Sequence, residues 1–321
     1  MKKLLPFLVL FAITAIAQTV SFPGGTDHVT VPFSDDHGHI VIQVGVNGTD
    51  PQPAILDTGA EGAVLNGSAE TAQKYSMKDL KEDEISGAGG NGVAMKAFQA
   101  RDVTFNIGGA TLTGNTVMLV DRMLPGRMAQ LVVGYSIFKN FVVTVDYEKS
   151  ELTLNDPAKF KYAGKGTEIP LEINSHGHPF LRAAINLPDA QRVPVKLVVD
   201  TGAMHALSLY YGSAPELKEP KGEKVVYGRG ASGEVRGYFE TTPALILGGF
   251  TVADIPTIYP DESIGAIAKD SGQQGNLGSA ILRRFKITYD YAHLRLFIEP
   301  NSHLNDPFRI MRRVPEKKPE A

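Results

Sequence analysis

The four residues Asp-Thr-Gly-Ala occur twice in this chain, at 57–60 within AILDTGAEGAVL and at 200–203 within LVVDTGAMHALSL. Both copies follow an apolar run, where a lone carboxylate is costly unless it is paired or protonated. The surroundings repeat as well. Upstream, VTVPFSDDHGHIVIQVGV matches EIPLEINSHGHPFLRAAI, with four extra residues in the second copy. Downstream, Gly134, Phe141, Thr144, Asp146, Tyr147 and Leu152 fall on Gly278, Phe285, Thr288, Asp290, Tyr291 and Leu296 at one offset of 144. The acid precedes that glycine by 77 residues in the first copy and by 78 in the second. A register held this long is an internal duplication. The chain is therefore read as two homologous lobes carrying equivalent acids.

The local pattern of each lobe is mainly β. HVTVPF, HIVIQVGV, DVTFNI, TVMLV and FVVTV alternate or cluster β-branched residues, with NG, GG and PG turn signals between them. Helical spacing is rare: SAETAQKYSMKDL (68–80) is the best stretch, and IFKN and ILRR are one-turn candidates. The 321 residues are 43% hydrophobic and 21% charged, enough to build one large or two medium cores. A net charge of −3 without a basic block gives a phosphate backbone little to hold, so no nucleic-acid partner is expected.

The first segment has Lys2 and Lys3, an apolar stretch from Leu4, and Ala15-Ile16-Ala17. This is the layout of a secretory signal peptide cleaved after Ala17; a retained anchor would need roughly 20 apolar residues. The expected organisation is a signal peptide at 1–17, an N-terminal lobe at 18–160, a C-terminal lobe at 161–300 and a charged tail at 301–321. KFKYAGKG (159–166) is the joint. The chain has no cysteine, so neither disulfides nor a lipid on an N-terminal cysteine are available. A periplasmic or secreted location is expected, with no membrane span once the signal is removed.

Two Asp-Thr-Gly units, each followed by an apolar-apolar-Gly segment and a VDY- or YDY-type strand, resemble the pepsin/retropepsin clan of aspartic proteases in a bacterial two-lobed, retropepsin-like form. The resemblance covers nearly the whole mature chain. It implies two β-barrel lobes with a cleft between them, in which Asp57 and Asp200 meet as the catalytic pair. It further implies that Thr58 and Thr201 bond across the interface, and that Gly59 and Gly202 let the backbone turn close beneath the carboxylates. Ala60 and Ala203 stand where pepsins have Ser or Thr, and the chain lacks both cysteine and tryptophan. These departures point to the retropepsin side and to activity at less acidic pH than pepsin's.

The chemistry of such a pair follows from electrostatics. Two carboxylates about 3 Å apart do not both ionise readily, so the pair holds one proton over a wide pH range. The ionised member takes a proton from a water while the other donates one to the scissile carbonyl oxygen. Which aspartate takes which role is not readable from the sequence, because coupled groups titrate as a pair. The competing structural reading makes both acids turn-forming residues after strands.

Three further features invite function. EISGAGGNGVAM (84–95) contains G-x-G-x-x-G, but the β-like VAMKAFQARDVTF that follows is not the helix a dinucleotide site needs. A flap over the cleft fits better, with Gly87, Gly89 and Gly90 at its tip, and VVYGRGASGEVRGYF places Tyr227, Gly228 and Gly230 in the equivalent hairpin. The alternative is two ordinary hairpin turns. HGH occurs twice, at His37/His39 and His176/His178; turn chemistry around Gly38 and Gly177 is favoured over a metal site, since zinc takes three or four ligands. His205 is read as a local polar side chain rather than a cleft residue, because its counterpart is Gly62.

The expected function is an exported, monomeric aspartic endopeptidase acting on peptide or protein substrates, with no cofactor and no metal. The rival is an exported peptide-binding module on an inactive scaffold. Retention of both Asp-Thr-Gly units favours the enzyme.

Overall fold

The computed structural model describes residues 17–85, 95–121, 129–230, 233–261 and 272–308. The first half contributes strands β1 (Thr19–Ser21), β2 (His28–Pro32), β3 (Ser34–Asp36), β4 (His39–Val46), β5 (Gln52–Leu56), β6 (Ala63–Asn66), β7 (Lys81–Ile85), β8 (Met95–Ile107), β9 (Ala110–Val120), β10 (Leu131–Val133), β11 (Val142–Asp146) and β12 (Glu151–Asn155). The second half contributes β13 (Thr167–Pro170), β14 (Glu172–Ile173), β15 (Pro179–Asn186), β16 (Arg192–Asp200), β17 (Leu207–Leu209), β18 (Val225–Gly230), β19 (Gly233–Leu247), β20 (Phe250–Pro260), β21 (Gly275–Gly278), β22 (Phe285–Asp290) and β23 (Arg295–Pro300). Among the described residues three short α-helices join them: α1 (Ala69–Lys74), α2 (Tyr135–Asn140) and α3 (Ser279–Leu282).

Each lobe closes a ring of six strands. In the first, β4 pairs with β5 and β8, β8 with β9, β9 with β6, β6 with β10, and β10 with β5. In the second, β15, β16, β21, β17, β20 and β19 follow one another in the same cyclic order. Closure leaves these strands without free edges, which suits a chain of short, half-buried strands. The fold is mainly β with two barrel-like lobes.

A separate six-stranded sheet, in the order β13-β23-β22-β11-β12-β2, spans both lobes. Its centre is the β11–β22 pair, where Thr144 lies opposite its own counterpart Thr288 and their hydroxyls are 2.9 Å apart. The duplication is thus a pseudo-twofold arrangement about that pair. Aromatic residues pack beneath, with Phe138 of the Tyr135–Asn140 helix, its C-cap Phe141, and Phe285 and Tyr289 of β22 fully buried.

The helix expected over 68–80 is shorter. Ser68 caps α1 by accepting from the Glu70 amide, and Thr71 completes a capping box, but the helix ends at Lys74. Ser76 and Asp79 take left-handed backbone angles, φ 52° each, which a helix does not accommodate. The one-turn segments IFKN and ILRR do lie in or across short helices, α2 and α3. Among the described residues no helix is long and apolar enough to cross a membrane.

Candidate active site

Each Asp-Thr-Gly-Ala unit is the turn by which a ring strand, β5 or β16, reaches the lobe interface. The turns close locally: Ala60 N–H donates to the Asp57 carbonyl at 3.2 Å, and Ala203 N–H to that of Asp200 at 3.4 Å. The apolar-apolar-Gly segments then pass against them. Tyr135 N–H donates to the Ala60 carbonyl at 3.0 Å and Ser279 N–H to that of Ala203 at 2.7 Å. A Cβ on Gly134 would sit 2.2 Å from the Ala60 carbonyl oxygen, and one on Gly278 would sit 2.1 Å from that of His205. This close approach explains why glycine recurs some 77 residues after each acid.

The two units interlock through their threonines. Thr58 Oγ1 donates to the Val199 carbonyl at 2.7 Å and accepts from Thr201 N–H at 2.9 Å. Reciprocally, Thr201 Oγ1 donates to the Leu56 carbonyl at 2.8 Å and accepts from Thr58 N–H at 3.0 Å. Both side chains are buried. Four buried hydrogen bonds between chain segments about 140 residues apart define one geometry for the interface.

That geometry brings the carboxyls together. Asp57 and Asp200 are within reach of a shared hydrogen bond. Asp57 Oδ1 accepts from Gly59 N–H at 2.8 Å, and Asp200 Oδ1 from Gly202 N–H at 2.9 Å. Each glycine also abuts the opposite carboxyl, since a Cβ on Gly59 would lie 2.8 Å from Asp200 Oδ1 and one on Gly202 would lie 2.3 Å from Asp57 Cγ. Burial, then the charge of Asp200, pushes Asp57 far above the ordinary carboxylate range; the amides of Gly59 and Gly202 oppose this only in part. One proton shared by two facing carboxyls is the state this environment favours.

Two neighbours of Asp200 were not legible as site residues. Asn276, on β21, donates its Nδ2–H to Asp200 Oδ2 at 2.6 Å. Its counterpart in the first lobe is Val132, which packs with Val41 and Ile55. A polar residue at the first position of the apolar-apolar-Gly segment was the available signal. His205 is the other neighbour. Burial keeps its imidazole below the usual histidine range against the pull of Asp200 and of the Asn276 backbone, and its Nε2 is buried without a hydrogen-bond partner among the described residues. His205, on the turn before β17 and five residues from Asp200, thus senses the charge of that carboxyl.

The HGH turns do more than reverse the chain. Asp35 Oδ1 accepts from Gly38 N–H at 2.7 Å, and Asn174 Oδ1 accepts from the backbones of His176 and His178 at 3.0 and 2.9 Å, as turn chemistry requires. In addition, each turn docks on the opposite lobe. His39 Nε2 lies 3.0 Å from the Gly202 carbonyl, and His176 Nδ1 lies 3.0 Å from Glu61 Oε1. Arg283 pairs with Asp35, and Gly177 packs on the Tyr135 ring. Among the described residues no group of His, Asp or Glu could hold a metal ion.

Of the flap candidates, Gly87, Gly89 and Gly90 lie outside the described residues. Tyr227, Gly228 and Gly230 lie on β18, which pairs with β19 through an irregularity between Val226 and Gly228. Tyr227 is half-buried, and its phenol is raised by burial with smaller contributions from Tyr210 and Asp261. Tyr210 is itself pushed up to about 12 by burial and then by the charge of Asp200.

A duplicated β-barrel architecture joined at two interlocked Asp-Thr-Gly turns has the form of a two-lobed, pepsin-like aspartic proteinase. Residues 42–137, which include the first of these turns, match the family described as aspartyl protease. Among solved structures it is similar to the aspartic proteinase from Irpex lacteus, with a TM-score of 0.55 and 14% identity over 87% of this chain and 99% of that one. At that identity the likeness concerns the fold. No curated protein sequence matches the chain.

Proposed function

We propose that this protein is an exported, monomeric aspartic endopeptidase in which Asp57 and Asp200 activate a water for attack on a peptide carbonyl. The observation that carries the proposal is the pair of facing carboxyls, each held by its own glycine amide, at an interface that the threonines interlock. The ionised member removes a proton from the water as its oxygen bonds to the carbonyl carbon, and the protonated member donates to the carbonyl oxygen. The resulting tetrahedral diol collapses when the amide nitrogen is protonated and the C–N bond breaks. No covalent enzyme species forms. Both acids come from one chain, so the pair needs no dimer.

Export rests on the N-terminal segment. Its proposed cleavage after Ala17 leaves Gln18 first, and Gln18 is already part of the folded lobe: it donates to Asn115 Oδ1 and accepts from Asn140 Nδ2, at 3.0 Å each. β1 follows directly and pairs with β9.

Digestion of a diverse peptide pool by the mature protein tests the proposal. Cleavage that disappears in Asp57→Asn, falls with a pepstatin-like hydroxyl inhibitor and survives a chelator is expected. Peptide binding without cleavage would instead establish the binding module.

A further inference from the structure

The two carboxyls are matched in almost every contact, and the exception points to their roles. Each accepts its own glycine amide, and each abuts the other lobe's glycine. Among the described residues only Asp200 receives a side-chain amide, from Asn276, at 2.6 Å. At the position related by the duplication the first lobe has Val132, an aliphatic side chain that offers no hydrogen to Asp57.

We propose that Asn276 is a positioning residue that places the single negative charge of the pair on Asp200, leaving the proton on Asp57. Resting on the protease reading above, this makes Asp200 the base that takes the proton of the water and Asp57 the acid that protonates the carbonyl oxygen.

Two observations support it. A donor at this distance stabilises the ionised form of its acceptor more than the neutral form. Finally, among the described residues the other titratable groups that sense Asp200 bring no competing charge. They are Asp57, His205, Tyr210, Tyr289 and Tyr291; burial disfavours the cation of His205 and the phenolates of the tyrosines. Asn276 thus fills, from a neighbouring strand, the role of the hydroxyl that Ala203 lacks.

The test has two arms. In the first, the wild-type protein carries 13C-carboxyl-labelled aspartate, the pair is assigned with Asp57→Asn and Asp200→Asn, and its carboxyl shifts are followed against pH. The first ionisation of the pair is expected on the Asp200 carbon while Asp57 stays protonated. Ionisation of Asp57 first overturns the proposal, whether or not the protein cleaves peptides. In the second arm, Asn276→Val, which copies the first lobe, is compared with wild type by NMR and by kcat/KM against pH. Loss of a charge-assisted hydrogen bond should move the first ionisation, and with it the acid limb, up by about one to two pH units. Asn276→Ala provides a second variant if the valine does not fold, as judged by circular dichroism. An active, folded variant whose acid limb stays in place sinks the role of Asn276 while leaving the protease reading intact; absence of all cleavage in wild type sinks that reading while the NMR arm still decides the charge.

Discussion

Gly202 lies against the carboxyl of Asp57 so closely that a Cβ added to it would stand 2.3 Å from Asp57 Cγ. The same glycine donates its N–H to Asp200 and offers its carbonyl to His39 of the first lobe. One backbone unit thus spaces the two acids, holds one of them and receives a contact across the interface. Gly202→Ala is expected to force the carboxyls apart. Because the methyl meets a carboxyl carbon in a packed site, the cost should be about 1–3 kcal/mol of stability. Activity should fall by ~10²-fold or more, since a displacement near 1 Å is enough for that. Gly59→Ala meets Asp200 Oδ1 at a more tolerant 2.8 Å and should be milder in both measures. Thermal melts and kcat/KM on one peptide would check the order; equal effects would mean that the clash at Gly202 relaxes.

Asp57→Asn should abolish cleavage, by ~10³-fold or more, because an amide serves neither as acid nor as proton-sharing partner. Its effect on stability has a defined sign. The folded protein holds the Asp57 proton more tightly than the unfolded chain, whose value is near 3.8. Below that pH both states are protonated and this group adds no pH dependence. Above it the unfolded state releases its proton first, so wild-type stability falls as pH rises, by at most about 1.4 kcal/mol per unit, until the folded group also ionises. Urea midpoints measured from pH 4 to 8 should show that decline in wild type and a flatter profile in Asp57→Asn. Parallel profiles would show that Asp57 carries no such linkage.

The threonine interlock should be structural rather than chemical. Thr58→Val keeps the shape but removes a donor to Val199 and an acceptor for Thr201 N–H, leaving two buried backbone groups unpaired. The expected loss is about 2–5 kcal/mol, read as a lowered melting temperature. Thr201→Val should match it, because the bonds are reciprocal. Thr58→Ser retains the hydroxyl and should recover most of the loss. If valine is tolerated at both positions, other contacts hold the lobes together.

How far the sequence could be read depends on the range of each interaction. The duplication exposed Asp57 and Asp200 as equivalents, and the recurring glycine at 134 and 278 marked where backbone passes against backbone. Strand periodicity says which side chains face inward, not which strand lies alongside, so the ring closure of β4 on β8 was not visible. The HGH turns illustrate the same limit. Their local chemistry was readable, but the reach of His39 to Gly202 spans 163 residues of sequence and depends on how two lobes face each other. Asn276 was hidden differently. It appeared as one polar residue in an otherwise apolar segment, and only its placement against Asp200 gives that departure a meaning.

The two alanines that follow the Asp-Thr-Gly turns provide the last prediction. If each lacks a hydroxyl donor to its own carboxyl, and if Asn276 already serves Asp200, then restoring the hydroxyls should affect different limbs of the pH profile. Ala60→Ser would offer a donor to Asp57, the member proposed to hold the proton. A bond to its ionised form makes that proton easier to lose, so the alkaline limb of kcat/KM should move toward acid. Ala203→Ser would add a second side-chain donor to Asp200, whose Oδ2 already accepts from Asn276. The acid limb should then move toward acid, and by less than Asn276→Val moves it the other way. The double variant should shift both limbs and work at lower pH than wild type. Four profiles on one peptide decide the matter: if Ala60→Ser moves the acid limb instead, the charge of the active form resides on Asp57, and the two aspartates exchange roles.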